Sequence, residues 1–378
     1  MRLPAYQDLS KEQEDINNLP VDGSYLVAGP PGTGKTVIAL YRAQMIEEYG
    51  RRTDRPEDRA RRARVLMFNG LLVRYTTAAL DTLEVDGEAK TCHEWLYQTF
   101  ARRFRAPIVN IGDHRPDWDF IERLLKFKGA KAQVETDLII DEGQDLPPQF
   151  YDAVKLMAAN VTVFADENQT VTDESCTFKE IREAVGIGRN VHRLRRNYRN
   201  TLQVAEVAEC FYTTAKVGTA EPPERVGRRP QLRQTRSLDH AIELIRTLEA
   251  NNDTQEIGVF VADEGTRKAL AEALEGTTVR AVHTYYGNKV SDDMDMGLAG
   301  IRIMCSESAK GLEFDTVFIV EAQDFPGHLR DHTKLLRRFY VMTSRARDGL
   351  YLLWSGDTEP SFLEVLPDDL VERRRLSE

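Results

Sequence analysis

The segment Gly29-Pro30-Pro31-Gly32-Thr33-Gly34-Lys35-Thr36 satisfies the pattern GxxxxGK[ST], and it sits where that pattern can do chemistry. An apolar run, Tyr25 to Ala28, precedes it, and the helical run VIALYRAQMIEEY follows it. Glycines at these positions let backbone N–H groups close around phosphates, and the helix start adds its positive end. Lys35 is then placed to reach the β- and γ-phosphates of a nucleotide and Thr36 to ligate Mg²⁺. A second segment supplies the acids. Leu138-Ile139-Ile140 is an apolar strand pattern ending in Asp141 and Glu142. Asp141 can hold the shell of a magnesium ion, and Glu142 can polarise an attacking water. Together the two segments predict an ATP-hydrolysing site with ATP and Mg²⁺ as its cofactors.

These residues need a scaffold of strands that end in loops. Short β-branched runs alternate with helical patterns along the whole chain, which predicts an α/β fold of parallel sheets flanked by helices. In the first half the strands fall at Tyr25 to Ala28, Val65 to Phe68, Leu138 to Ile140 and Val161 to Ala165. In the second they fall at Ile257 to Val261, Val279 to Val282, Ile301 to Cys305, Val317 to Val320 and Leu350 to Trp354. The halves are expected to share a fold class without sharing sequence. The 378 residues suit two domains, and Gly186 and Gly188 mark the boundary, giving domains 1–188 and 189–378. The proline-rich stretch Glu221 to Pro230 is expected as an exposed loop of the second domain.

Composition narrows the classes further. Cys92, Cys176, Cys210 and Cys305 are scattered without CxxC spacing and the seven histidines are ungrouped, which argues against disulfides, zinc and iron–sulfur clusters. A metal is expected only with the nucleotide. There is no membrane-length apolar run and no signal-peptide core, so a cytoplasmic protein without membrane contact is expected. A net charge of −10 means that any nucleic acid must be held by local patches. Arg51, Arg52, Arg55, Arg59, Arg61, Arg62 and Arg64 form one candidate, and Arg102, Arg103 and Arg105 another. Each fits a solvated loop as readily as a phosphate contact.

Asp141-Glu142-Gly143-Gln144-Asp145, read with segments in the same order along most of the chain, resembles the UvrD, Rep and PcrA branch of superfamily 1 helicases. The strongest of these segments is Ser308-Ala309-Lys310-Gly311-Leu312-Glu313-Phe314, nearly identical to the family's SAKGLEF. The resemblance implies two RecA-like P-loop NTPase domains, with hydrolysis in the cleft between them and 3′ to 5′ movement on single-stranded or partly duplex DNA. The motifs do not distinguish DNA from RNA.

The resemblance also implies roles for single residues. In Leu9 to Gln13, Gln13 reads the adenine edge. Val65 to Asn69 and Thr91 to Trp95 bring Phe68, Asn69, His93 and Trp95 to nucleic acid, although Phe68 and Trp95 suit a core equally well. Val163 to Gln169 is similar to GDxxQ and makes Gln169 a γ-phosphate sensor. Asn197-Tyr198-Arg199-Asn200 resembles NYRS/T, with Tyr198 on the base and Arg199 on the γ-phosphate. Ser308 and Lys310 face nucleic acid, while Gly311 and Glu313 approach the nucleotide. Tyr340 to Ala346 resembles YVxxTRA and offers Arg345 as a second arginine finger.

Two departures separate this chain from the pattern. The family's large inserts are reduced to a small helical piece near residues 74–135 in the first half and are lacking in the second. The residues after Gln169 also differ from the family's aromatic and Arg-Gly pair. A second reading therefore stands beside the motor: an ATP-driven switch that controls a protein partner such as a nuclease without unwinding. No PD-(D/E)xK arrangement points to a fused nuclease.

Overall fold

In a computed structural model the chain divides into two compact units, Met1–Arg195 and Arg196–Glu378. The structure describes all residues except 1–2, 60, 69, 87, 112–114, 167–174, 190, 214–219, 253, 279, 286–299, 307–310, 326–331 and 377–378. Among the described residues no helix is long and apolar enough to cross a membrane.

The first unit is built on strands β1 (Tyr25–Ala28), β2 (Ala63–Met67), β3 (Ala89–Thr91), β6 (Glu135–Ile140), β7 (Ala158–Ala165) and β8 (His192–Arg193). They form a parallel sheet in the order β3-β2-β6-β7-β1-β8, with a separate antiparallel hairpin of β4 (Asn110–Ile111) and β5 (Arg115–Pro116). The helices are α1 (Lys11–Asn17), α2 (Lys35–Arg52), α3 (Gly70–Thr82), α4 (Cys92–Gln98), α5 (Trp118–Lys128), α6 (Pro148–Met157) and α7 (Phe178–Val185). Fully apolar strands such as Leu26-Val27-Ala28 and Leu138-Ile139-Ile140 are buried on both faces, as parallel strands covered by helices must be. The division falls after Arg195 rather than at Gly188, because β8 beyond those glycines pairs with β1 and belongs to the first sheet.

Residues 74–135 do not stand apart as an insert. β3 is the edge strand beside β2, and Trp95, Leu96, Phe100, Phe104, Ile121 and Leu125 share one apolar core with Leu138, Ile140, Phe150 and Val154. Trp95 is 2% exposed, its indole N–H donates to Glu135 at 3.0 Å and its ring meets Phe150 edge-on. It is a core residue and not a surface for nucleic acid. A large apolar ring gains more from burial here than from stacking outside.

The second unit repeats the plan. Strands β9 (Gln231–Thr235), β10 (Ile257–Val261), β11 (Val282–Tyr285), β12 (Ile301–Cys305), β13 (Phe314–Ile319), β14 (Ala346–Ser355) and β15 (Glu372–Arg374) form a parallel sheet in the order β11-β12-β10-β13-β14-β9-β15. Its helices are α8 (Leu202–Cys210), α9 (Leu238–Ala250), α10 (Glu264–Leu274) and α11 (His332–Thr343). β9 and β15 went unseen in the sequence because Gln231-Leu-Arg-Gln-Thr and Glu372-Arg-Arg carry too few apolar residues to read as strands. None of the four cysteines forms a disulfide.

The arginine run at 51–64 proves largely structural. Arg61 is 4% exposed; its Nε donates to Asp137 at 2.7 Å, and Nη1 and Nη2 donate to Asp22 and to the Val21 carbonyl. Arg64 pairs with Glu135 and Glu88, and Arg51 with Glu47 and Asp86. Burial raises the pKa of Asp137, and its bond to Arg61 opposes the rise. Removing the cation strands that carboxylate, which costs roughly 3 kcal/mol for a buried pair. Arg61→Ala should therefore lower the stability of the first unit by about that amount in urea unfolding. The double variant Arg61→Leu, Asp137→Leu should recover most of the loss; equal loss in both variants would contradict the stranded-charge account.

Candidate nucleotide site

The first sheet brings the two chemical segments to its C-terminal edge. β7 lies between β1 and β6, with Ala165 opposite Ala28 and Val163 opposite Ile140, so Gly29 and Asp141 leave the strand ends on either side of β7. Such an edge is where open α/β sheets bind ligands. Gly32 and Gly34 have φ of 79° and 86°, in the left-handed region where only glycine is unstrained. At Gly29 a side chain would meet Thr33 Oγ1 at 2.6 Å and the Leu194 Cβ at 3.0 Å. Thr33 Oγ1 donates to the Pro30 carbonyl at 2.9 Å and closes the loop on itself.

Lys35 opens α2 and is 8% exposed, with its ammonium donating to the Gly29 and Pro30 carbonyls at 2.7 and 3.2 Å. A single cation is thus held at the loop. Thr36 Oγ1 donates to Asp141 Oδ2 at 2.6 Å, which joins α2 to the end of β6. A hydroxyl and a carboxylate this close are hard oxygen donors, and they fit magnesium. Gln13 occupies the third position of α1, in a capping box with Ser10. Its Nε2 donates to the Thr33 carbonyl at 3.0 Å, so the amide braces the loop from behind.

Asp141 and Glu142 are 1% and 4% exposed. Burial and the neighbouring Glu142 charge push the Asp141 carboxyl up to about 6, against the pull of the Thr36 hydroxyl and the Lys35 ammonium. Glu142 has φ 54° and ψ 39°, a left-handed conformation that a non-glycine residue adopts only under constraint. Gln144 Nε2 donates to Glu142 Oε2 at 2.7 Å.

In the second unit, Asn197-Tyr198-Arg199-Asn200 is docked by its outer residues. Asn197 Nδ2 donates to Asn200 Oδ1 at 2.6 Å, and Asn200 Nδ2 donates to the carbonyls of Ser344 and Ala346. Arg199 Nε donates to Glu313 Oε2 at 3.1 Å. Although burial opposes ionisation, Arg199 and Arg347 hold the Glu313 carboxyl below its ordinary range. Gly311 has φ 77°. Tyr198 is 43% exposed.

Arg345 is held inside the second unit. It is 1% exposed, and its guanidinium donates to the Val341 and Leu312 carbonyls and to Ser344 Oγ within its own unit. A guanidinium spent on backbone carbonyls anchors the turn after α11. Phe68 is half-buried and His93 exposed. Asn69, Gln169, Ser308 and Lys310 lie outside the described residues.

Residues 13–173 match the family described as an AAA domain, and residues 284–357 match the UvrD-like helicase C-terminal domain. The chain is a UvrD-like superfamily 1 helicase. Its two parallel sheets are RecA-like domains, and the enzyme is an ATP hydrolase. No curated protein matches the sequence. Among solved structures, Saccharomyces cerevisiae Dbp5 bound to RNA and ADP BeF3 is similar in fold at TM-score 0.53 and 16% identity, covering 98% of this chain and 90% of that one. The arterivirus nonstructural protein 10 helicase matches at TM-score 0.46 and 13% identity over 94% of this chain and 64% of its own. The C-terminal domain of a possible DNA helicase from Lactobacillus plantarum WCFS1 matches at 0.36 and 20%, over 46% and 97%.

The raised Asp141 pKa has a definite sign in this helicase. Folding favours the protonated carboxyl, so its contribution to stability is fully present below the unfolded value of about 4 and lost as pH rises through about 6. Asp141→Asn should therefore raise the stability of the nucleotide-free protein at pH 7.5 by roughly 1 to 3 kcal/mol, with no gain at pH 4. Calorimetric melts at the two pH values check this. A variant less stable than the wild type at pH 7.5 would contradict the assigned charge burden.

Proposed function

We propose that this helicase is an ATP- and Mg²⁺-dependent DNA translocase that moves 3′ to 5′. The observation that carries the reading is the set Lys35, Thr36, Asp141 and Glu142 at one sheet edge, half-buried at Thr36 and buried at the other three. These residues combine a phosphate cradle, hard oxygen ligands and a carboxylate that can accept a proton from water. Magnesium held by Thr36 and Asp141 would neutralise charge on the β- and γ-phosphates. The loop glycines and the start of α2 present N–H groups to the phosphates, and Lys35 exchanges its carbonyl partners for a phosphate oxygen. Glu142 orients the attacking water, and Gln13 and Tyr198 contact the base.

Arg199 is the arginine we assign to the γ-phosphate, released from Glu313 when the nucleotide is bound. Arg345, engaged inside its unit, is assigned instead to holding Leu312 and the start of β13. Gln169 as γ-phosphate sensor, and Phe68, Asn69, His93, Ser308 and Lys310 as nucleic-acid contacts, remain part of the proposal on the strength of the motif resemblance. The burial of Trp95 and the pairing of Arg61 and Arg64 remove three candidate nucleic-acid contacts, which favours a second reading. In it the same ATPase is a switch that acts on a protein partner.

ATP turnover measured with and without single-stranded DNA or RNA, at low and moderate salt, separates the readings. Stimulation by DNA supports the translocase, and a rate that responds to neither polymer supports the switch. Arg199→Ala should lower kcat by about 10³-fold or more while leaving nucleotide affinity within a few-fold. Arg345→Ala should instead lower the melting temperature, because it removes the guanidinium donors from the Leu312 and Val341 carbonyls and leaves Val341 with only the Ser344 hydroxyl.

A further inference from the structure

The Glu142 carboxylate is held by a side chain that the reading above does not use. Gln144 is completely buried, and its amide nitrogen donates to Glu142 Oε2 at 2.7 Å and to Asp145 Oδ2 at 3.3 Å. Its amide oxygen accepts the Asp166 backbone N–H at 2.8 Å, at the end of the neighbouring strand β7. Its backbone carbonyl accepts the Cys176 N–H at 2.9 Å. One residue thus ties the carboxylate to two separate parts of the chain.

The second unit contains the same device without the nucleotide chemistry. Leu138-Ile-Ile-Asp-Glu-Gly-Gln-Asp-Leu-Pro147 aligns with Val317-Phe-Ile-Val-Glu-Ala-Gln-Asp-Phe-Pro326, with Ile, Glu, Gln, Asp and Pro identical. Glu321 has φ 53° and ψ 57°, beside 54° and 39° at Glu142, and each is followed by a single 3₁₀ turn. Gln323 Nε2 donates to Glu321, and Gln323 Oε1 accepts the Ser355 N–H at the end of β14, at 3.1 Å. β14 stands to β13 as β7 stands to β6. Yet Val320 replaces Asp141, and only Arg236 and Ser237 separate β9 from α9, so no phosphate loop precedes that helix. The latch is therefore separable from the chemistry. It is a way of holding a glutamate in a left-handed conformation at a strand end, and the first unit puts it to use.

We infer that Gln144 is a positioning residue for hydrolysis: its amide fixes the direction of the Glu142 carboxylate and locks it to the end of β7. The inference rests on Glu142 acting on the attacking water. A carboxylate free to swing by an ångström loses much of its advantage, since misplacement on that scale costs up to about 100-fold.

The test compares Gln144→Met with Gln323→Met in the full chain. Each keeps the side-chain length and removes all the hydrogen bonds of the side-chain amide. Gln144→Met should lower kcat for ATP by about 10- to 100-fold while KM and ADP affinity stay within about threefold. Gln323→Met should lose comparable thermal stability and keep kcat within about twofold. Should Gln144→Met melt below the assay temperature, Gln144→Asn, too short to span both partners, carries the same comparison. A normal kcat in the Gln144 variant, an equal loss in the Gln323 variant, or a loss confined to ATP affinity would each overturn the assignment. A wild type without ATP turnover would overturn the hydrolase reading itself, and this inference with it.

Discussion

Two carboxylates side by side in the interior repel each other and resist losing water, and the end of β6 holds such a pair in Asp141 and Glu142. Much of the first unit can be read as the means of tolerating that pair. The Lys35 ammonium and the Thr36 hydroxyl draw on Asp141, and the Gln144 amide takes Glu142. The glycines of the loop allow α2 to start close enough to bring its first two side chains there. Stability is given up at this point so that oxygen ligands and a base stand ready for phosphates and metal.

The second unit shows what remains when that demand is lifted. Its strand β13 ends in the same Glu-x-Gln-Asp turn, but a valine stands where the metal-ligand candidate would be. The halves were expected to share a fold class without sharing sequence, and this ten-residue recurrence corrects that view. The shared Glu, Gln and Asp set the backbone geometry of the turn, whereas the change of Asp141 to Val320 removes the metal-ligand candidate. What the second unit offers instead is arginine. Arg199 sits beside Glu313, and Arg345 donates to the Val341 carbonyl of its own turn and to the Leu312 carbonyl. Partnership with a carboxylate can be exchanged for a phosphate, because both offer paired oxygens to a planar fork. Carbonyls inside a packed turn are given up less readily.

Sequence alone determined the nucleotide segments and the fold class. GxxxxGK[ST] after an apolar strand, and an apolar strand ending in Asp-Glu, are local patterns whose chemistry depends on neighbours in the chain. Strands rich in β-branched residues, such as Ile257 to Val261, are legible for the same reason. Tertiary structure decided what depended on distant partners. Trp95 went to the core because Glu135 and Phe150 lie beside it, and Arg61 became structural because Asp137 is buried opposite. β8 joined the first sheet by pairing with β1, which moved the boundary past the glycines. Polar β9 and β15 are strands through their ladders, although their own sequences are weakly apolar. The Gln144 latch was hidden until Asp166 was brought to it, since a hydrogen bond across 22 positions leaves no local pattern to read.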